Sequence, residues 1–240
     1  QRIKALYAAK VSWVDRWLRE VLRTLEETNL ASNTAIILTA DHGTNVGERS
    51  RFGKGYPVRE QEGHTPLFIH VPSGESGRSD IIVQPQDLFA TIAGLAGVPV
   101  PDGLDSQDLL AIARQGIDGR RKLALSGASA DRWNSRREEI LFTVFDAKWY
   151  LEFAAKPEAC RLTRYGSLEN VADDNQQAVE LLRALAIDEI ERRGTDPALV
   201  AWLRANGESE FPEECCFWDG WPGPAGFTQY FNRLYRRWPH

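Results

Sequence analysis

Asp41, His42, Lys54 and His64 are the side chains whose types and spacing suit chemistry in this chain. Asp41-His42-Gly43 follows directly on the apolar run Ala35-Ile36-Ile37-Leu38. A carboxylate and an imidazole placed together at a strand end can both ligate one metal ion, and Gly43 lets the backbone turn sharply away behind them. Lys54 stands between Gly53 and Gly55. Small neighbours let a lysine approach an anion closely, and a strongly hydrated ammonium suits a sulfate or phosphate oxygen. His64, in Gly63-His64-Thr65-Pro66, comes just before a second apolar run. His70 lies inside that run and reads as a core or hydrogen-bonded histidine, and His240 is terminal. Each residue alone also has a plainer reading: an aspartate ending a strand, a lysine in solvent. As a set they point to a metal-dependent hydrolase.

The elements that must position these residues are legible from periodicity. Tyr7 to Leu30 carries Val11, Val14, Trp17, Leu18, Val21, Leu22 and Leu25 at three- and four-residue spacings, which predicts a long amphipathic helix. Thr34–Ala40 is expected to be a strand buried on both faces, as in a parallel sheet between helices. Open α/β sheets bind ligands at the carboxyl ends of such strands. Residues 44–62 form a loop rich in Gly and charge, long enough to be functional or disordered. Within it, Glu48 and Arg49 read as loop salt-bridge partners.

A second strand is predicted at Leu67–Val71, a short one at Ile81–Val83, and a helix from Pro85 to Ala96 with Gly97 past its end. A short helix at Ser106–Arg114 follows. Strands are expected at Lys122–Ser126, Glu139–Phe145 and Trp149–Phe153. A helix over Ala178–Arg193 is next, then a short one begun by Asp196-Pro197 and ended near Asn206-Gly207. Residues 211–240, dense in aromatics and Pro, are expected to wrap the domain surface without regular structure. The predicted fold class is α/β, a mostly parallel sheet flanked by helices, with a small C-terminal antiparallel sheet and helix. The expected divisions are 1–120, 121–210 and the tail 211–240.

Composition narrows the partners. Twenty-nine Lys and Arg against 34 Asp and Glu give a net charge of −5, which leaves no basic footprint for nucleic acid. No stretch is apolar and long enough for a membrane span. The three cysteines, Cys160, Cys215 and Cys216, form no CxxC pair and no even disulfide set. The sequence holds no Met at all. A translated reading frame begins with one, so a processed chain or a piece of a longer protein is expected.

The ordered set Thr39-Ala40-Asp41-His42-Gly43, Val46-Gly47-Glu48, Gly53-Lys54 and His64-Thr65-Pro66-Leu67-Phe68-Ile69 resembles the sulfatase family of the alkaline phosphatase superfamily. The helix bearing Val14-Asp15 and the segment Gln86-Asp87-Leu88-Phe89-Ala90-Thr91-Ile92-Ala93-Gly94-Leu95-Ala96-Gly97 are similar to that family too. So, more weakly, is Lys148-Trp149-Tyr150-Leu151. The likeness covers Tyr7 to Leu110 best.

The resemblance implies an alkaline-phosphatase-like sandwich and a sulfuric ester hydrolase acting on small-molecule or carbohydrate sulfate esters. It implies Asp41 and His42 as two ligands of a divalent cation, calcium first, with manganese or zinc left open by the imidazole donor. Lys54 would contact the transferring group and His64 the leaving-group oxygen or substrate. The family's nucleophile is a formylglycine made from Cys or Ser in Cys/Ser-x-Pro-x-Arg. Cys160-Arg161-Leu162-Thr163-Arg164 lacks the proline, as do the residues after Cys215 and Cys216. The family's paired aspartates are absent as well.

The chain is therefore expected to be the C-terminal part of a sulfatase-like protein, inactive alone and prone to self-association through an exposed sheet edge. Two alternatives stand beside it: a phosphodiesterase or phosphonate monoester hydrolase of the same superfamily, and a non-catalytic remnant that binds a partner.

Overall fold

The computed structural model describes residues 1–209 apart from 56–57, 73, 75, 117–118, 120 and 127–139. The aromatic tail and its expected wrap lie outside the described residues. The chain forms two compact units, residues 1–78 and 79–240.

The first unit opens with α1 (Arg2–Glu27). Its length reflects an uninterrupted run of helix formers, reinforced along the polar side by Arg19–Asp15 at 2.9 Å and Arg23–Glu20 at 2.6 Å. The helix is amphipathic as its spacing predicts, yet none of its residues is buried. Asn29, at φ 58°, turns the chain out of it.

β1 (Ile36–Thr39) follows and pairs antiparallel with β4 (Leu67–His70), Ile36 opposite His70 and Thr39 opposite Leu67. Between them, β2 (Asn45–Val46) and β3 (Phe52–Gly53) make a small antiparallel hairpin, and α2 (Glu60–Gly63) adds one helical turn. The interval read as a loop therefore carries structure of its own.

The second unit begins with α3 (Asp87–Ala96) and α4 (Leu109–Gln115), packed on each other. Gly97 and Gly116 end them in the left-handed region. Asp108 caps α4 by accepting from the amides of Leu110 and Ala111.

Then come β5 (Ala124–Ser126), β6 (Ile140–Phe145), β7 (Trp149–Ala154) and β8 (Arg161–Arg164), joined in that order into one antiparallel sheet. α5 (Gln176–Arg192) packs against β6, β7 and α6 (Pro197–Arg204). Phe142, Val144, Leu151, Phe153 and Leu162 from the sheet meet Leu182, Ala186, Ile190, Leu199 and Leu203 from the helices in one apolar core. The rings of Phe142 and Phe153 stack at 4.2 Å.

Asp87 at the start of α3 is wholly buried. Its carboxylate takes a bidentate pair from Arg121, at 2.6 and 3.0 Å, and the amides of Gln84 and Gln107.

The α/β composition and the small C-terminal antiparallel sheet with its helices are as expected. The mostly parallel sheet is not: every ladder among the described residues is antiparallel. A β-branched run reports apolar surroundings and says nothing of its neighbour's direction, and among the described residues the α-helix between β1 and β4 is the single turn α2, too short for a crossover. Residues 81–83 form no strand; the Ile82 carbonyl accepts from the Gln107 side-chain amide at 3.2 Å instead of from a neighbouring strand. β8 was not foreseen, because its Arg-Leu-Thr-Arg alternation is only four residues long.

Candidate active site at the end of β1

β1 delivers Asp41 and His42 into solvent two and three residues beyond its last paired position, Thr39. The Asp41 carboxylate folds back, its Oδ1 accepting from the His42 amide at 2.8 Å. The His42 Nδ1 lies 2.8 Å from the Gly43 carbonyl oxygen. A carbonyl can only accept, so Nδ1 carries the proton and, in the neutral ring, Nε2 carries the lone pair. That lone pair faces Lys54 Nζ at 3.2 Å, with Asp41 Oδ2 at 3.4 Å. Three of the four expected site residues are thus gathered around one ring nitrogen.

His64 is placed differently. It caps the C-terminal end of α2, its amide donating to the Glu60 carbonyl at 2.8 Å, and its side chain is exposed. His70 is also exposed, on the outward face of β4, which overturns the core alternative in its reading as a core or hydrogen-bonded histidine. Leu67 and Ile69 take the inward positions, and a period of two sends His70 the other way.

Two turns must hold still for this arrangement. The first is the strand-end turn at Gly43, whose amide donates to the Glu62 carbonyl at 2.8 Å. A side chain cannot be tolerated there, since a Cβ would sit 2.0 Å from the Gln61 carbonyl oxygen. The second is the Gly53-Lys54-Gly55 turn leaving β3. Asn45 Nδ2 donates to the Gly53 carbonyl at 3.1 Å, and the Gly55 amide donates to Glu62 Oε1 at 2.6 Å.

The hairpin between them is tight. Gly47, Arg49 and Ser50 all adopt positive φ, a cost for the two residues with side chains. Glu48 offsets it by accepting from the Val46 amide at 2.6 Å and pairing with Lys4 of α1 at 3.6 Å. Burial alone would raise the Glu48 carboxyl, but these partners hold it below its ordinary value. Glu48 is therefore a structural residue, and it reaches α1 through an ion pair with Lys4.

Asn45 and Glu62 escaped the sequence reading. Nothing distinguishes Glu62 from its neighbours in Arg59-Glu60-Gln61-Glu62, and its burial arises only when the two turns close over it.

Asp41 Oδ2 and His42 Nε2 are one oxygen and one nitrogen donor on the same side, which fits two positions of a divalent cation's shell. The Nδ1–carbonyl bond fixes the tautomer that such a ligand needs. Among the described residues no group of three or more His, Cys, Asp and Glu gathers to complete a shell.

Cys160 plays no part here. It is buried against the Ala154 amide and the Arg183 guanidinium, and burial pushes its thiol up.

The sulfatase family model matches residues 1–98, the stretch that carries Asp41, His42, Lys54 and His64. The chain belongs to the sulfatase family. It is 33% identical over 224 residues to arylsulfatase K of Danio rerio, covering 87% of this chain and 43% of that protein. It is 32% identical over 174 residues to iduronate 2-sulfatase of Mus musculus, covering 60% and 31% respectively. Among solved structures, the phosphonate monoester hydrolase of Agrobacterium radiobacter superposes with a TM-score of 0.61 at 22% identity, covering 79% of this chain and 41% of that one. Solved sulfatases share the same fold. This sulfatase-family chain spans less than half the length of these relatives.

Proposed function

We propose that this chain forms part of a metal-dependent sulfuric ester hydrolase, with sulfated carbohydrates or other small sulfate esters as its substrate class. The observation that carries the reading is the gathering of Asp41, Lys54 and the His42 lone pair around one point, within the segment matched by the family.

Asp41 and His42 would hold a divalent cation, calcium first and manganese or zinc as further candidates, which when bound supplies charge stabilisation to the transferring group. The remaining ligands and the formylglycine nucleophile are not among the described residues. Lys54 would hold the sulfate oxygens by charge-assisted hydrogen bonds. His42 Nε2 serves one partner at a time, so in holding a cation it would release the Lys54 ammonium to an anion. His64, just past the end of α2, would meet the leaving-group side of the substrate. The name of the mouse relative, iduronate 2-sulfatase, supports a carbohydrate substrate.

A second reading, phosphonate or phosphate ester hydrolysis, draws on the imidazole donor and on the structural likeness to a phosphonate monoester hydrolase.

The test is binding by the whole chain. Mn²⁺ titrated against the protein and followed by electron paramagnetic resonance should bind, with Ca²⁺ competing, and the Asp41→Asn and His42→Ala variants should each weaken Mn²⁺ about tenfold or more. Sulfate should then shift the Lys54 and Gly55 amide resonances more strongly than methylphosphonate does. The reverse preference supports the second reading. Neither metal nor anion binding would leave a non-catalytic partner-binding remnant as the better description.

A further inference from the structure

We infer that Glu62 is the positioning residue of this site, fixing the approach of Lys54 to His42. The inference rests on the reading of Lys54 as the anion-holding residue.

Glu62 touches both turns at once. Its main-chain carbonyl accepts from the Gly43 amide at 2.8 Å, directly behind Asp41-His42, and its side-chain Oε1 accepts from the Gly55 amide at 2.6 Å, directly after Lys54. Asp41-His42 and Lys54 are thus each one residue from a bond to the same amino acid. Gly43 and Gly55 are twelve residues apart in sequence, and Glu62 closes that interval from outside it.

The side chain is only 3% exposed, and its second oxygen, Oε2, is buried with no hydrogen-bond partner. A buried carboxylate oxygen left unpaired is costly. A residue serving stability alone would be better replaced by an apolar side chain at this position. What an apolar residue cannot supply is the acceptor for Gly55 N–H. The geometry therefore points to reach and acceptor chemistry, with stability as the secondary consequence.

α2 is what places the residue. One turn from Glu60 to Gly63, with the Arg59 carbonyl accepting from the amides of Glu62 and Gly63 at 2.9 and 2.7 Å, projects the Glu62 side chain one way and leaves its carbonyl for Gly43.

Three variants separate the explanations. Glu62→Gln keeps an oxygen that can accept from Gly55, Glu62→Asp keeps the charge but withdraws the acceptor by one methylene, and Glu62→Ala removes both. Amide hydrogen exchange of the whole chain, read by NMR, should show Gly55 exchanging about tenfold faster in Glu62→Ala and Glu62→Asp, with Glu62→Gln near the unsubstituted protein. The nuclear Overhauser contact between the Lys54 ε-methylene and the His42 ring should weaken in the same order. Inorganic sulfate affinity should fall about tenfold in Glu62→Asp and be restored to within about threefold in Glu62→Gln.

Equal damage by Glu62→Gln and Glu62→Asp overturns the inference in favour of packing, as does an unchanged Lys54–His42 contact in Glu62→Asp. Should Glu62→Ala fail to fold, the Gln and Asp pair still decides. If the unsubstituted chain binds no sulfate, the reading of Lys54 fails, whereas the exchange and Overhauser results still judge the clamp.

Discussion

The two units of this chain are held together by opposite means. In residues 79–209 the buried set is dominated by apolar side chains, with sheet and helices closing over Phe142, Phe153, Leu162 and Leu203. In residues 1–78 the described residues that are fully buried are Asn45 and Glu62, both polar. One unit derives its order from apolar area removed from water, the other from hydrogen bonds that fix particular turns. The contrast suits what each must do. A site presenting a carboxylate, an imidazole and an ammonium to solvent cannot lie over a thick apolar layer, so its geometry has to come from short polar pins. Order of that kind opens more readily than a packed core.

The largest effect expected from this contrast lies in the second unit. Phe153→Ala removes a ring stacked on Phe142 at 4.2 Å with the Arg183 guanidinium above it at 4.6 Å. It should cost about 3–5 kcal/mol in chemical denaturation. Trp17→Ala on α1 removes a larger ring, yet that residue is 59% exposed, and the cost should stay within about 0.5 kcal/mol. Comparable losses for the two substitutions would break the comparison, because they would mean that α1 is packed in solution.

A smaller and more local effect is expected at Gly43. Gly43→Ala drives a Cβ to 2.0 Å from the Gln61 carbonyl oxygen, a backbone atom that cannot swing aside. The overpacking should cost about 1–3 kcal/mol and break the bond from the Gly43 amide to Glu62. Amide exchange should then accelerate at Gly43 and Gly55 while β6 and β7 keep their protection. Loss of protection across β6 and β7 would show that the two units do not open separately.

The same contrast explains what could be read from the sequence. Helices survived the reading best, because α1, α3, α5 and α6 rest on local periodicity and caps: Asp196 does accept from the Ala198 amide, and Gly97 does turn left-handed. The positions of β1, β4, β5, β6 and β7 were legible to within two residues, whereas β2, β3 and β8 were missed and residues 81–83 form no strand. Strand direction was not legible, since pairing depends on a partner far along the chain. At the site, Asp41, His42 and Lys54 stood out by chemical type and by glycine neighbours. His64 stood out equally and is placed on another element, because order in sequence does not fix which loops meet. Glu62 and Asn45 carried no signal at all. Their importance lies in the backbone groups they reach, and any residue type with an oxygen at the right distance would read the same.

Acid offers the finest probe of the two regimes. Asp105 is raised by burial and lowered more by Arg193 at 3.0 Å and Arg121 at 3.7 Å, so its carboxyl sits below the ordinary value. Glu189 is likewise raised by burial and lowered more by Arg192 at 2.7 Å and Arg193 at 2.8 Å. In the first unit Glu48 is depressed by its amide partner and Lys4.

A depressed carboxyl contributes stability that is fully present above the unfolded value, near 3.9 for Asp and 4.3 for Glu, and is lost as pH falls through the lower folded value. Stability should therefore be flat from neutral pH to about 5 and decline below about 4, the unfolded chain taking up more protons in that window. Asp105→Asn should flatten the decline measured on the second unit by denaturant melts at stepped pH. Glu48→Gln should leave that decline unchanged and alter only the acid sensitivity of amide exchange in β2 and β3, because the carboxyl it removes restrains a single hairpin and the Asp105 carboxyl joins α5 to the segment before α4.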